Sequence, residues 1–378
     1  MNYTDIAWAE YDVAARASSF TENGVEEVYV VFESSSKSTA SERQFAQLIN
    51  AVETFLEEKA SLTGVFCRFF VSDASNQRSF LEKVKFPFAC SVVQQPPLNG
   101  TKVMAYLYAV SNSEVSAIGC NEVILKRPKA NHYFNTQMQY TLQNEYQQTL
   151  GIFLQYNEFL KANGCTLKDC CIRTWIYVQG VDIHYAGMVQ ARGHVFEEAD
   201  LTPATHFIAS TGIEGRHFSH KSLVLMDAYA VKGVEERQIT YLKGASHLNP
   251  TYEYGVTFER GTAVEYGDRR HVFISGTASI NSKGEVVYPG DIQKQTERTV
   301  ENVEVLLVEA GATFKDIAQL TIYLRDIADY ETVRSILDER FSHLPKVYVW
   351  APVCRPGWLI EIECIAIARV GENGFQNF

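Results

Sequence analysis

Apolar positions along the chain switch between a period of about 3.6 residues and a period of 2, and they do so three times over. From Gln293 to Ala310 the apolar residues Val300, Val303, Leu306 and Leu307 share one helical face, and Gly311 supplies the C-cap. Ala318 to Leu324 reads as a strand closed by Arg325-Asp326, followed by a second helix over Tyr330 to Phe341. A strand at Lys346 to Trp350 comes next. A Cys354-Arg355-Pro356-Gly357 turn then feeds a β-branched run from Leu359 to Ile367.

The same order occurs earlier in the chain. Helix Gln139 to Ala162 ends at Gly164, strand Ile172 to Val178 precedes helix Tyr185 to Glu198, and His206 to Gly212 pairs with Leu223 to Ala230. A more eroded version has helix Ser41 to Ala60, strand Val65 to Val71 and short helix Asn76 to Lys83. Cys90 to Val93 and Lys102 to Val110 close it. Each unit opens on a hairpin, at Glu27 to Phe32, Val115 to Lys126, and Ala263 to Ala278 running on to Val286-Val287. The pattern predicts three domains, 1–119, 120–245 and 246–378, of the α+β class, each a mixed β-sheet with two helices packed on one face. One small sheet with an open face is marginal alone, so the three units are expected to associate.

The final strand carries an anomaly. Leu359, Glu361, Glu363 and Ile365 point to one face, so two carboxylates sit among isoleucines. Burying them ionised is expensive, and each must be paired or held protonated. Composition narrows the chemistry. The chain has 378 residues, 46% hydrophobic and 21% charged, with a net charge of −11. Nucleic-acid partners are not expected, because phosphate binding needs clustered Lys and Arg, and Lys126-Arg127-Pro128-Lys129 reads as a solvated linker. No apolar run approaches the ~18 residues of a membrane span, and the first residues lack signal-peptide character. Eight cysteines without CxxC spacing fit a reducing cytoplasm. Nine histidines form no HxxxH or HxH pair, so neither a metal nor a cofactor is expected.

Unit three resembles the Rid/YjgF/L-PSP superfamily. The resemblance runs through Ile274-Ser275-Gly276-Thr277-Ala278, Pro289-Gly290-Asp291-Ile292, Gln295-Thr296, Asn302, Glu309-Ala310-Gly311-Ala312-Thr313-Phe314-Lys315-Asp316, Leu324-Arg325-Asp326, Tyr330 and Ile360-Glu361-Ile362-Glu363-Cys364-Ile365-Ala366. Unit two resembles it more loosely, through Thr174-Trp175-Ile176-Tyr177, Arg192, Phe196 and Ser210-Thr211-Gly212-Ile213. Simple members are homotrimers with ligand clefts between subunits, so the resemblance implies three chorismate-mutase-like units forming a single-chain pseudo-trimer. Further pairing of pseudo-trimers into a homo-oligomer stays open. Ser275 to Ile280, with Val353-Cys354-Arg355-Pro356 and Leu359 to Glu363, resembles the chorismatase branch. These enzymes cleave the enolpyruvyl ether of chorismate and release pyruvate. A last-strand glutamate is their acid and a nearby cysteine marks some members; Glu361 and Cys354 stand at the matching places.

Enol-ether hydrolysis needs a carboxylic acid still protonated near neutrality, which burial supplies. Glu361 suits that role, and Glu363 reads as the partner of an arginine or a helix N-terminus. Arg355 would hold a substrate carboxylate. Gly276, Thr277 and Ala278 lie where backbone approaches a ligand or forms a bulge, and Cys354 with Ala278 would shape the product. Thr211 and Gly212 read as a turn offering N–H groups to an anion, with Arg216 and Tyr177 as further binding candidates. Rid deaminases carry an arginine after a proline before the penultimate strand. Here Leu344-Pro345-Lys346-Val347 offers Lys346, the substitute in an alternative imine- or enamine-deaminase reading. The third reading is a non-catalytic binder of small carboxylated metabolites.

Overall fold

The computed structural model describes residues 1–37, 39–83 and 85–378, with Tyr254 described for its backbone only. It contains three six-stranded mixed sheets of one topology. Unit one runs β1 (Asn2–Trp8), β2 (Val13–Glu22), β3 (Val25–Ser34), α1 (Ser41–Glu58), β4 (Leu62–Val71), α2 (Ala74–Leu81), β5 (Ala89–Gln94) and β6 (Val103–Ser111). Unit two runs β7 (Glu114–Ala117), β8 (Glu122–Lys126), β9 (Asn131–Met138), α3 (Glu145–Ala162), α4 (Leu167–Cys170), β10 (Cys171–Val178), α5 (Val181–Glu198), β11 (Ala209–Glu214) and β12 (Val224–Lys232). Unit three runs β13 (Ile239–Leu242), β14 (Gly261–Glu265), β15 (Arg269–Ala278), α6 (Ile292–Glu309), β16 (Ile317–Leu324), α7 (Tyr330–Arg340), β17 (Lys346–Trp350) and β18 (Ile360–Arg369).

In each sheet three antiparallel strands meet the closing strand, β6, β12 or β18. The closing strand pairs in turn with β4, β10 or β16, and a parallel edge strand, β5, β11 or β17, completes the sheet. The parallel pair needs a crossover, and α2, α5 and α7 supply it. The sheets divide the chain between Ser111 and Glu114 and between Lys232 and Ile239, ahead of the expected boundaries at 119/120 and 245/246. The reason is that β7 pairs with β8 and β13 with β14. The amino-terminal hairpin β1–β2 and strand β9 carry weak periodicity and went unread.

The helices lie outside and the sheets turn inward. Aromatic and aliphatic side chains from all three sheets, among them Phe66, Tyr106, Phe134, Trp175, Phe273 and Tyr323, form one central cluster. Separate layers join helix to sheet in units one and two. Closing strands buried on both faces read as near-continuous apolar runs, as β6 does. Each junction between units also holds one buried ion pair: Arg68–Asp227 at 2.9 Å, Arg173–Glu363 at 2.8 Å and Arg269–Glu27 at 2.8 Å. Such pairs add little net stability over apolar packing, but removing one partner strands a buried charge. They therefore pin the register of unit against unit.

Candidate active site

The site forms where units two and three meet. Strand β11 is the edge of its sheet and leans onto unit three through bridges at Ala209–Glu259 and Ile213–Val353. On the facing wall, β18 presents Glu361, paired across the ladder with Ala278 on β15 and Tyr323 on β16. The β15–β18 register shifts between Ile274 and Thr277, so Ser275 and Gly276 form a bulge beside the acid. A Cβ on Gly276 would lie 1.8 Å from Glu361 Oε1 and 3.1 Å from Thr211 Cγ2. Bulge and close approach are one feature: only glycine leaves room for the carboxyl group.

The two carboxylates of β18 have opposite fates. Glu363 accepts from Arg173 Nη2 at 2.8 Å, Thr211 Oγ1 at 2.8 Å and Trp175 Nε1 at 3.2 Å. It is the arginine partner expected of it. Glu361 faces a cavity lined also by Arg192, Arg260 and Arg355, by Tyr185 and Cys354, and by Gly212 and Ala278. Burial, and then the like charge of Glu363, push its pKa up to about 8, against the smaller pull of Arg173 and Arg260. At neutral pH Glu361 is therefore a neutral acid. Burial and the nearby Glu361 likewise push the Cys354 thiol up to about 12, so Cys354 sits beside Tyr185 as a neutral thiol rather than a thiolate.

Of the residues expected from the sequence, Glu361, Cys354, Arg355, Gly276, Ala278 and Gly212 line this cavity. Thr211 and Gly212 do not form a turn; they belong to β11. Thr211 Oγ1 accepts from Gly276 N–H at 2.9 Å and from Arg173 Nη2 at 2.5 Å, and donates to Glu363, so it ties the bulge to the ion pair. Thr277 is buried behind the wall and donates to Ser275 O at 2.9 Å. Tyr177 points instead into the central cluster, its ring 5.5 Å from the Arg68 guanidinium. Arg216 has a half-exposed side chain 3.5 Å from Glu214 while its backbone bridges to Gln94. Lys346 lies at the junction of units one and three, bound to Asp338 at 2.6 Å and to the Phe341 carbonyl at 2.5 Å. An ammonium bound at the end of α7 does not stand in for a carboxylate-holding arginine in this cleft.

Arg192, Arg260 and Tyr185 were not among the expected site residues. Tyr185 and Arg192 lie seven apart on α5, a spacing that shares a helical face and is the one available signal. Arg192 donates to Ser210 Oγ at 3.4 Å. Arg260 lies in irregular chain and donates to the Asn249 carbonyl at 2.9 Å, and no periodicity marks it. Arg355 stacks over Trp358 at 4.9 Å, which steadies the guanidinium at the rim.

Residues 261–368 match the family described as Endoribonuclease L-PSP. The 3-aminoacrylate deaminase RutC of Acinetobacter baylyi is 34% identical over 97 residues, 25% of this chain and 77% of that protein. The chain belongs to the Rid/YjgF/L-PSP superfamily, and its three units form a single-chain pseudo-trimer resembling the chorismatase branch. A chorismatase of Streptomyces hygroscopicus is 28% identical over 211 residues, 50% of this chain and 60% of its own length. A chorismatase crystal structure shares the fold over 80% of this chain and 93% of its own, with a TM-score of 0.62 at 18% identity. No helix among the described residues is long and apolar enough to cross a membrane.

Proposed function

We propose that the chain is a chorismatase-like enzyme that cleaves the enolpyruvyl ether of chorismate, or of a similar small carboxylated enol ether, and releases pyruvate. One observation carries this reading: a carboxyl group that stays protonated at neutral pH faces a cavity lined by three guanidinium groups. The guanidiniums draw in and orient a dianion through bidentate contacts. Glu361 then donates its proton to the methylene carbon of the enol ether, which leaves an oxocarbenium ion. Water adds at the ether carbon, and the hemiketal collapses to pyruvate and the ring alcohol. Glu361, now ionised, regains a proton in the collapse. The developing carboxylate gains from the guanidiniums as the cation forms, so the site favours the charge-separated state.

Cys354 and Ala278 flank the acid and would steer how the ring leaves. Ala278 pairs with Glu361 across the ladder and Cys354 lines the same cavity, which supports giving them that part. The test is pyruvate release from chorismate, followed by coupled reduction to lactate. Purified chain should release pyruvate, and Glu361→Gln should lose about 10²–10⁴-fold in rate, the usual worth of a general acid. No pyruvate from wild type, or equal rates in both, overturns the reading.

A second reading is favoured by the relationship to the RutC deaminase, which covers unit three. Carbon protonation of an enamine by Glu361 is the same step, followed by hydrolysis of the iminium to ammonia. It uses this cleft and not Lys346. Ammonia release from an enamine-generating system, lost in Glu361→Gln and kept in Lys346→Ala, would favour it. Saturable carboxylate binding without either product would leave a metabolite-binding protein.

A further inference from the structure

A second cavity at the same junction, about 370 Å³, takes no part in the chemistry described above. It shares Phe258 and Arg260 with the first cavity, so the chain at 258–260 is a common wall. Glu259, between them, lines the second cavity and not the first.

The two chambers differ in what they offer. The first holds three guanidiniums around a neutral acid. The second holds a flat aromatic face and a carboxylate, with Lys243 and the shared Arg260 also in its lining. The rings of His206 and Tyr241 stack with centroids 4.0 Å apart and planes within 11°. His206 Nδ1 donates to the Phe207 carbonyl at 2.8 Å, which fixes the imidazole plane. Buried Phe207 and Leu248 line the same cavity, as does Tyr252, which is 48% exposed.

Glu259 is held rigidly. Its Oε1 accepts the Phe207 N–H at 2.8 Å, its own N–H donates to Ile208 O at 3.0 Å, and its carbonyl accepts from Ser275 Oγ at 2.6 Å. Burial raises its pKa, against the Phe207 N–H and then the charges of Lys243, His206 and Arg260. A half-buried carboxylate of this kind gains from further N–H donors that arrive with an apolar body.

We propose that this second cavity binds a flat aromatic ligand with an N–H donor edge, an amidine or an amino-substituted nitrogen heterocycle. Its ring would lie along the Tyr241–His206 face and its N–H groups on Glu259. The volume accommodates a small ring system with substituents. An aromatic acid lying on the same face sets its carboxylate against Glu259, whereas one that turned to Lys243 or Arg260 would bind through them and speak against the proposal.

Benzamidine is the probe and benzoate its counterpart, titrated calorimetrically against the full chain. Benzamidine should bind saturably to wild type and more tightly than benzoate. Glu259→Gln, which keeps an acceptor for the Phe207 N–H, should weaken it about tenfold or more, as loss of a charged hydrogen-bond acceptor does. Tyr241→Leu should weaken it by a similar factor through lost stacking. Absence of saturable binding, preference for benzoate, or unchanged affinity in both variants would overturn the proposal. Because binding alone is read, the outcome is independent of whether the first cavity turns over chorismate.

Discussion

The junction between units one and two and the junction between units two and three are built from the same parts. Each buries a carboxylate on a closing strand, Asp227 or Glu363, against an arginine of the preceding unit, Arg68 or Arg173. Each adds a hydroxyl from the edge strand: Ser91 donates to Asp227 at 2.6 Å, and Thr211 to Glu363 at 2.8 Å. They diverge at two positions. Two residues before the paired carboxylate stands Leu225 in one case and Glu361 in the other. At the bulge of the neighbouring strand stands Gln137 in one case and Gly276 in the other, at matching ladder positions.

Gln137 adopts a left-handed φ of 56°, donates its N–H to Asp227 at 2.9 Å and sends its side-chain amide to the Val92 carbonyl at 2.9 Å. It fills the space that Gly276 leaves to the acid. An apolar residue and a plug close one junction; an acid and a glycine open the other. Once three copies of a unit are joined in one chain, each cleft can change without changing the others, a freedom a homotrimer lacks.

This contrast can be broken experimentally. The largest effect is expected from carrying the plug across: Gly276→Gln should cut turnover by roughly 10³-fold, because a misplaced acid loses both position and protonation. Pyruvate-release kinetics at matched folded fraction would check it, and retained turnover would show that the glycine does not make the cleft. Arg68→Met and Arg173→Met should each cost about 3–5 kcal/mol in denaturant unfolding, since each strands a buried carboxylate. A clear inequality would show that one junction solvates its carboxylate when the arginine goes.

The pH dependence comes next. Glu361 has a native pKa of about 8, above its ordinary carboxylate value. In the proposed reaction its protonated form is the active one, so the rate should fall tenfold per pH unit above about 8. The stability it contributes is fully present below the ordinary value and is lost as pH rises through 8. Between pH 6 and 8 that loss should be about 1–3 kcal/mol, and Glu361→Gln should remove it in pH-dependent unfolding. Smallest is Cys354→Ser, expected to change the rate less than about tenfold because the thiol is neutral, while shifting which ring product accompanies pyruvate. Product chromatography would read that shift.

Much of this was legible along the chain. The repeat of helix, strand, helix and two strands survives in all three units because core-facing positions must be apolar whichever residue fills them. Glu361 and Glu363 stood out because charge inside a β-branched run has no cheap explanation. The resemblance put the acid at Glu361 and gave Glu363 an arginine or a helix N-terminus, but which group pairs with Glu363 could not be read. It depends on Arg173 and Trp175 arriving from another unit 188–190 residues away in sequence. Lys346 was offered as the arginine substitute of a deaminase and instead caps α7, since a flexible ammonium takes the nearest carbonyls and carboxylate. Arg260 left no trace because irregular chain carries no period.

The strand beginning at Ile360 shows where the boundary falls. Local rules, the side-chain alternation of a strand and the cost of burying charge, were enough to say that two carboxylates share a face and cannot both be solvated. Which one is paired and which keeps its proton was settled by long-range geometry: an arginine within 2.8 Å of Glu363, and a glycine bulge with three guanidiniums around Glu361. Electrostatic energies vary steeply over a few ångströms in a low-dielectric interior, and sequence distance does not encode ångströms.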